Sequence, residues 1–358
     1  MHDKYISFDP WWGGWNNQRM SYETAAAVSI LTGRKLVVPY KHYCLFFAWH
    51  ENKSSFLDPW RILDRELFFK EFNCIDFFDV PEYNTLGNKV HYFHGIDKIA
   101  KCYLFQDYPY NDWGFNKDPS SGEVLVYRVE NSKDFRDFCG DRKVYNLDVP
   151  DKFIHFPRNL FAHYYFHVYG PNKFIRNAIR ERIGRGIKFR KEYYSLSNKA
   201  LLELGDFNAI HVRSGDFNQV HKEDTSSLLN DLKQMLEGRL DKSKPLYIAT
   251  DEKDRSYFDT LKSEYKVFFR ETIFDFVLDE YESLALDHII PSEADIFLGT
   301  KWSTFTDAIN CMRGFAGKKD FSRQGINFNY PPLDKNIIPW NQEDYTWQKI
   351  YHSHWTAE

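Results

Sequence analysis

Short apolar runs alternate with stretches of helical spacing along much of the chain. Tyr5-Ile6-Ser7-Phe8 reads as a first strand, and a turn rich in Trp, Gly and Asn follows from Trp11 to Asn17. From Gln18 to Leu31 the apolar or small residues Met20, Thr24, Ala27, Val28 and Leu31 recur on one helical face, and Gly33 stands where a C-terminal cap is expected. Lys35-Leu36-Val37-Val38-Pro39 reads as the second strand. Strand, Gly-rich turn, helix and strand in that order form a βαβ unit, whose helix N-terminus directs free N–H groups above the sheet.

The stretch from Lys41 to Pro150 has no steady period; Val124-Leu125-Val126-Tyr127 is one short apolar burst within it. Ala162 to Tyr169 is apolar and aromatic, and Lys173 to Ile183 predicts a helix. Beyond Leu204-Gly205 the rhythm is cleaner. Strands are expected at Ala209–Val212, Leu246–Ala249, Lys266–Phe269 and Ile296–Gly299, and helices at Ser226–Leu240, Asp254–Tyr265, Tyr281–Ile290 and Phe305–Met312. This alternation predicts a parallel, doubly wound sheet. The expected organisation is therefore two α/β domains, residues 1–204 and 205–358, the second ending in an irregular tail from Lys318 with Pro331-Pro332 and Pro339.

A length of 358 residues agrees with two domains. Aromatic residues make up 18%, including 32 Phe and 23 Tyr, so most rings must pack in cores while a few, such as Trp11, Trp12 and Trp15, are available to stack on a sugar or base. A net charge of −4 leaves no global basic field, which disfavours nucleic acid as a partner. The basic run from Arg176 to Arg190 reads first as a solvated helix face. Five scattered cysteines without C-x-x-C give neither a disulfide framework nor a zinc knuckle. No apolar stretch approaches the roughly 18 to 20 residues of a membrane span. Met1-His2-Asp3-Lys4-Tyr5-Ile6 is no signal peptide, so a cytoplasmic location is expected, with a previously removed leader left open; the sequon Asn52-Lys53-Ser54 is too common to decide it.

Three polar clusters fall at predicted strand carboxyl ends of the second half: His211/Arg213/Asp216, Thr250/Asp251 and Ser303/Thr304. In open α/β sheets ligands bind at that edge, and an arginine fork beside a helix N-terminus suits a phosphate pair. A nucleotide diphosphate is the expected ligand. Each cluster alone has a plainer reading: Arg213 as an ion-pair partner, Thr250-Asp251 as the N-cap of the helix that follows. In the first half, Gly13-Gly14-Trp15-Asn16-Asn17-Gln18-Arg19 is neither G-x-G-x-x-G nor a Walker loop, yet its glycines permit close backbone approach. His163 and His167 lie one helical turn apart without the glutamate of a zinc hydrolase, and packed histidines are the expectation. No Asp-x-Asp occurs, so metal-independent chemistry is expected, with no metal site and no cofactor.

Four segments resemble the GDP-fucose protein O-fucosyltransferase family and its bacterial, algal and plant relatives. They are GGWNNQRM at Gly13 to Met20 leading to LVVP at Leu36 to Pro39, IHVRSGDF at Ile210 to Phe217, IATDE at Ile248 to Glu252, and LDHIIPSEADIFLGTKWSTF at Leu286 to Phe305. The resemblance implies a GT-B fold, two Rossmann-like lobes facing a central cleft, with the nucleotide sugar on the C-terminal lobe and the acceptor entering from the N-terminal one. It places the catalytic arginine at Arg213 and the loop asparagine at Asn17. It assigns Gly14, Asn16, His211, Asp216, Thr250, Asp251, Ser303, Thr304 and Phe305 to the nucleotide sugar, and Asp287 to the guanine edge.

The implied activity is an inverting, metal-independent transfer of fucose from GDP-fucose to an acceptor hydroxyl on a glycan or protein. One branch of the family carries a glutamate base where this chain has Gly13, so no base is assigned, and Glu23, in the first turns of the helix, is only a weak candidate. Two alternatives stand beside this reading: a rhamnosyltransferase using UDP-rhamnose, and a catalytically silent nucleotide-sugar or glycan-binding protein.

Overall fold

The chain divides at Lys188/Phe189 into two compact units, Met1–Lys188 and Phe189–Glu358. A computed structural model describes residues 4–8, 10, 14–39, 42–43, 56–80, 101–102, 152–156, 173–214, 236–300, 303–316 and 318. The expected strand at Val124–Tyr127, the apolar segment Ala162–Tyr169 and most of the helix Ser226–Leu240 lie outside the described residues. The boundary falls earlier than the expected 204/205 for a packing reason. Ala200 and Leu204, on a helix at Lys191–Leu204 that the periodicity reading missed, share one core cluster with Phe207, Ala209, Leu286 and Ile290.

In the first unit the chain runs β1 (Tyr5–Phe8), α1 (Trp15–Thr32), β2 (Lys35–Val38), β3 (His42–Tyr43), β4 (Phe56–Leu57), α2 (Arg65–Glu71), β5 (Cys74–Asp76), β6 (Lys101–Cys102), β7 (Phe153–Phe156) and α3 (Lys173–Gly186). The sheet has the order β5-β2-β1-β7-β6 and every pairing in it is parallel. Because β2 and β5 extend it to one side of β1 and β7 to the other, the strand order reverses at β1, which is a topological switch point. All four residues of β1 are buried, as expected of a central parallel strand covered on both faces.

Helix α1 departs from the simple amphipathic expectation, since it buries nearly every residue from Trp15 to Ser29. Its polar side chains are absorbed locally: Thr24 Oγ1 donates to the Met20 carbonyl at 2.9 Å and Ser29 Oγ to the Arg34 carbonyl at 2.6 Å. Gly33 ends the helix with φ +67°, the left-handed conformation that favours glycine.

The second unit continues with α4 (Lys191–Leu204), β8 (Asn208–Val212), β9 (Leu246–Thr250), α5 (Asp259–Lys262), β10 (Val267–Phe268), α6 (Arg270–Ile273), α7 (Glu280–Glu293), β11 (Phe297–Gly299) and α8 (Thr304–Phe315). Its parallel sheet has the order β10-β9-β8-β11, with a second switch point between β8 and β11. Alternate residues of the central strands feed opposite faces. Ala209, Tyr247, Ala249 and Phe297 pack with α4, α7 and α8, whereas Ile210, Val212, Leu246, Ile248 and Leu298 pack with Leu236, Leu240, Phe258 and Leu261.

The expected helix Asp254–Tyr265 is replaced by a 3₁₀ turn at Arg255–Phe258 running into the single turn of α5. Its N-cap is Asp254, whose carboxylate accepts from the Ser256 N–H at 3.0 Å. Thr250-Asp251 is therefore not the cap, and these two residues serve the sheet edge instead.

Candidate nucleotide-binding edge

Parallel pairing sets Gly299 opposite His211 and Thr250 opposite Val212, so three chain segments leave the second sheet at one edge. Hydroxyl groups finish the ladder there. Thr300 Oγ1 donates to the His211 carbonyl at 3.0 Å and accepts from the Arg213 N–H at 2.9 Å. Thr250 Oγ1 donates to the Val212 carbonyl at 2.7 Å and accepts from the Glu252 N–H at 3.0 Å. Thr250 was expected at the nucleotide; here its hydroxyl is used to hold β8 against β9.

Asp251 fixes the loop after β8 by both oxygens. Oδ1 accepts from the Ser214 N–H at 2.8 Å, and Oδ2 forms an ion pair with Arg213 Nη1. Ser214 Oγ adds a 2.9 Å bond to Glu252 Oε2. Both side chains of the ion pair stay partly open, 30% for Arg213 and 28% for Asp251. A guanidinium carries five donors in a fixed fork, and Asp251 takes one terminal nitrogen. Arg213 is thus pre-oriented at the edge with surface still facing solvent, which is an arrangement suited to an oxyanion arriving later. Asp216 lies outside the described residues.

Across the switch point α8 begins at Thr304, with Ser303 as an N-cap whose side chain makes no capping bond. Thr304 and Phe305 are half-buried, so the first turn presents a hydroxyl and N–H groups at the same edge as Arg213. Phe305 lies between two imidazoles: its ring stacks on His211 at 4.6 Å and on His288 at 3.7 Å. His211 is itself buried, and burial pushes its pKa well below the usual histidine range, with Arg213 and His288 adding to the effect.

Asp287 is not arranged as expected. It sits on α7, where its carboxylate accepts from Tyr247 OH at 2.8 Å through Oδ1 and pairs with Arg270 through Oδ2. Burial pushes its pKa up against the pull of Arg270, and the Asp287 charge in turn holds the Arg270 pKa up. With both oxygens engaged inside the unit, the carboxylate is not set out for a base edge. A residue in the middle of a helix whose neighbours Leu284, Ala285 and Leu286 are all buried is placed for packing, and that pattern was visible in the sequence.

Sequence reasoning missed three contributors to this edge. Thr300 and Thr306 carry short hydroxyls just after β11 and in the first turns of α8. Asp307 is 4% exposed, and its Oδ2 has no hydrogen-bond partner among the described residues; burial pushes its pKa well above the usual carboxylate range. The visible signal was a cluster of hydroxyls and one acid following the predicted strand Ile296–Gly299.

The first unit offers a different edge. Gly14 caps α1 with φ −64°, and an added Cβ would meet nothing within 4 Å among the described residues, so neither strain nor crowding demands glycine there. Asn16 is buried and Asn17 is half-buried, and neither Trp15 Nε1 nor Asn17 Oδ1 has a hydrogen-bond partner among the described residues. Arg19 and Glu23 are buried as a pair, with Nε 2.8 Å from Oε1 but without hydrogen-bond alignment, so the contact is one of charge. Glu23 is fully buried in that pair, which counts against even its weak candidacy as a proton acceptor. Among the described residues no group of three His, Cys, Asp or Glu side chains is placed to hold a metal ion, and no helix is long and apolar enough to cross a membrane.

Two parallel α/β sheets, each with a polar segment leaving its switch point, define an open-sheet α/β protein. Comparison with known proteins narrows the class. The sequence profile of the family described as GDP-fucose protein O-fucosyltransferase matches residues 5–316, and the chain belongs to that family. It is accordingly a glycosyltransferase of the GDP-fucose-dependent fucosyltransferase class.

Among solved structures, the apo form of POFUT1 is 17% identical with a TM-score of 0.53, covering 88% of this chain and 96% of that one. POFUT1 in complex with GDP-fucose is 18% identical with a TM-score of 0.54 over the same shares. The selenomethionyl fucosyltransferase NodZ from Bradyrhizobium is 13% identical with a TM-score of 0.50, covering 88% of this chain and 93% of the other. At these identities the likeness is one of fold. No protein in the curated set matches the chain.

Proposed function

We propose that the chain transfers fucose from GDP-fucose to a hydroxyl of a protein or glycan acceptor, with inversion and without a metal ion. The carrying observation is the juxtaposition at the second switch point, where one edge bears Arg213, pre-oriented by Asp251, and the start of α8. As the bond between sugar and diphosphate stretches, negative charge grows on the leaving phosphate. Donors fixed beforehand stabilise that charge more in the transition state than in the ground state. Arg213 is the donor we assign to this task, sharing its fork between Asp251 and the β-phosphate.

The GT-B assignment belongs to the same proposal. It rests on two α/β units, each built on a parallel sheet, and on the POFUT1 fold likeness. Metal independence rests on the absence of Asp-x-Asp from the sequence and on a cation, Arg213, already standing where a metal would neutralise phosphate.

One observation supports a second reading. Guanine needs an acceptor for its N1–H and N2–H2 groups, and Asp287 is committed to Tyr247 and Arg270; a UDP-sugar such as UDP-rhamnose does not require that carboxylate. Thermal-shift measurements with GDP, UDP, GDP-fucose and UDP-rhamnose separate the two, since only a ligand that binds the folded state raises the melting temperature. Stabilisation by GDP and GDP-fucose alone, with GDP released from GDP-fucose on turnover, is the expected result. Stabilisation by UDP and UDP-rhamnose alone would overturn the donor assignment.

A further inference from the structure

Thr306 and Gly299 meet His211 at the centre of the edge. Thr306 Oγ1 lies 2.8 Å from His211 Nδ1, both side chains being buried. The approach is possible because residue 299 is glycine. A Cβ built there would stand 2.3 Å from Thr306 Cγ2 and 2.5 Å from Oγ1, closer than real Cβ atoms come. Gly299 is also the residue paired with His211 across β8 and β11, so the threonine crosses over one strand to reach the ring on the next.

The direction of this hydrogen bond follows from what each group can do. A threonine hydroxyl has one proton to donate, and among the described residues its partner is His211 Nδ1. If Nδ1 carried the proton, the buried hydroxyl would be left with a donor and no acceptor, which is costly in a buried site. If the hydroxyl donates, Nδ1 accepts and the neutral ring must carry its proton on Nε2. Burial keeps the ring neutral, and the stacked Phe305 fixes its plane, with His288 on the far face donating its own Nδ1–H to the Leu284 carbonyl at 2.6 Å.

We propose that Thr306 is a positioning residue that holds His211 in the Nε2–H tautomer, so that the ring offers a hydrogen-bond donor to an acceptor oxygen or nitrogen of the bound nucleotide. The tautomer depends only on residues of this chain. The nucleotide as recipient rests on the proposed function. Histidine at this position is therefore a one-way group, donating and never accepting, and the threonine sets that direction without touching substrate.

The test is nitrogen-15 NMR of the histidine side chains in the full-length protein, with the His211 signal assigned by its loss in His211→Gln. The wild type is expected to show a bare Nδ1 and a protonated Nε2, with the Nε2–H signal moving on addition of GDP. Thr306→Val, nearly the same shape without the hydroxyl, is expected to lose the single tautomer and raise the KM for GDP-fucose about tenfold with kcat changed less than about threefold, as loss of one hydrogen bond implies. Thr306→Ser is expected to restore both. A proton on Nδ1 in the wild type, or a KM unchanged in Thr306→Val, overturns the proposal. Should Thr306→Val fail to fold, the wild-type spectrum and Thr306→Ser decide the tautomer. An Nε2–H ring with no response to GDP, in a protein that binds UDP instead, would overturn the donor reading while leaving the tautomer assignment standing; an Nε2–H signal unmoved by GDP that demonstrably binds would overturn the presentation to nucleotide.

Discussion

The two switch points use charge in opposite ways. On α1, which follows β1, Arg19 and Glu23 are sealed together, at 6% and 0% exposure. Above β8, Arg213 and Asp251 are also paired, but each keeps more than a quarter of its surface open. A sealed pair stabilises by holding both charges out of water only while both are present, because removing either leaves a buried, uncompensated ion. An open pair contributes little to stability and keeps part of its cation facing solvent. The lesson is that an arginine near a switch point is read by the exposure of its partner: the same residue types build a sealed pair on a helix in one unit and a partly open pair at a sheet edge in the other.

The largest effect that sharpens this contrast is expected in the first unit. Glu23→Leu leaves Arg19 buried without its carboxylate and should lower stability by about 3–5 kcal/mol, read from denaturant unfolding of that unit. Unfolding at the wild-type midpoint would mean that the pair is not structural, and the contrast between the edges would fail.

A smaller effect is expected from the buried acid of the second unit. Burial raises the folded-state pKa of Asp307, so the folded protein binds a proton that the unfolded chain has already released. Its contribution is therefore fully present below the unfolded-state pKa and is lost as pH rises toward the folded-state pKa. Asp307→Asn removes this titration. The variant should lose less stability than the wild type as pH is raised from 4 to 7, measured as melting temperature against pH; parallel curves would show that Asp307 does not titrate in that window.

Much of this was legible in the sequence, for identifiable reasons. Strands at Tyr5–Phe8, Asn208–Val212 and Leu246–Thr250 are short, mostly apolar runs buried along nearly their whole length, and such runs are hard to mistake when helices separate them. Arg213, Ser303 and Thr304 could be placed at one sheet edge from the sequence because strand ends and helix starts mark that edge in any doubly wound sheet. Helix α4 was not found, since its apolar positions are interrupted by Tyr194, Ser195 and Asn198 and its buried face is decided by α7.

The internal contacts of Asp287 and Thr250 were not legible in the sequence, for a related reason. Their side-chain partners, Tyr247 with Arg270 for one and the Val212 carbonyl for the other, are distant in sequence and become neighbours only through strand pairing. The burial of Glu23 was not legible, because helical position says nothing about whether Arg19 one turn earlier will close over it.

The central claim, that an open guanidinium at the second switch point stabilises the departing diphosphate, is tested most directly by the turnover of Arg213→Ala. Release of GDP from GDP-fucose should fall by about a hundredfold or more in kcat, on the order of 3 kcal/mol of lost transition-state stabilisation, while the melting temperature stays near the wild-type value. A variant that melts normally and still releases GDP at close to the wild-type rate would contradict the account.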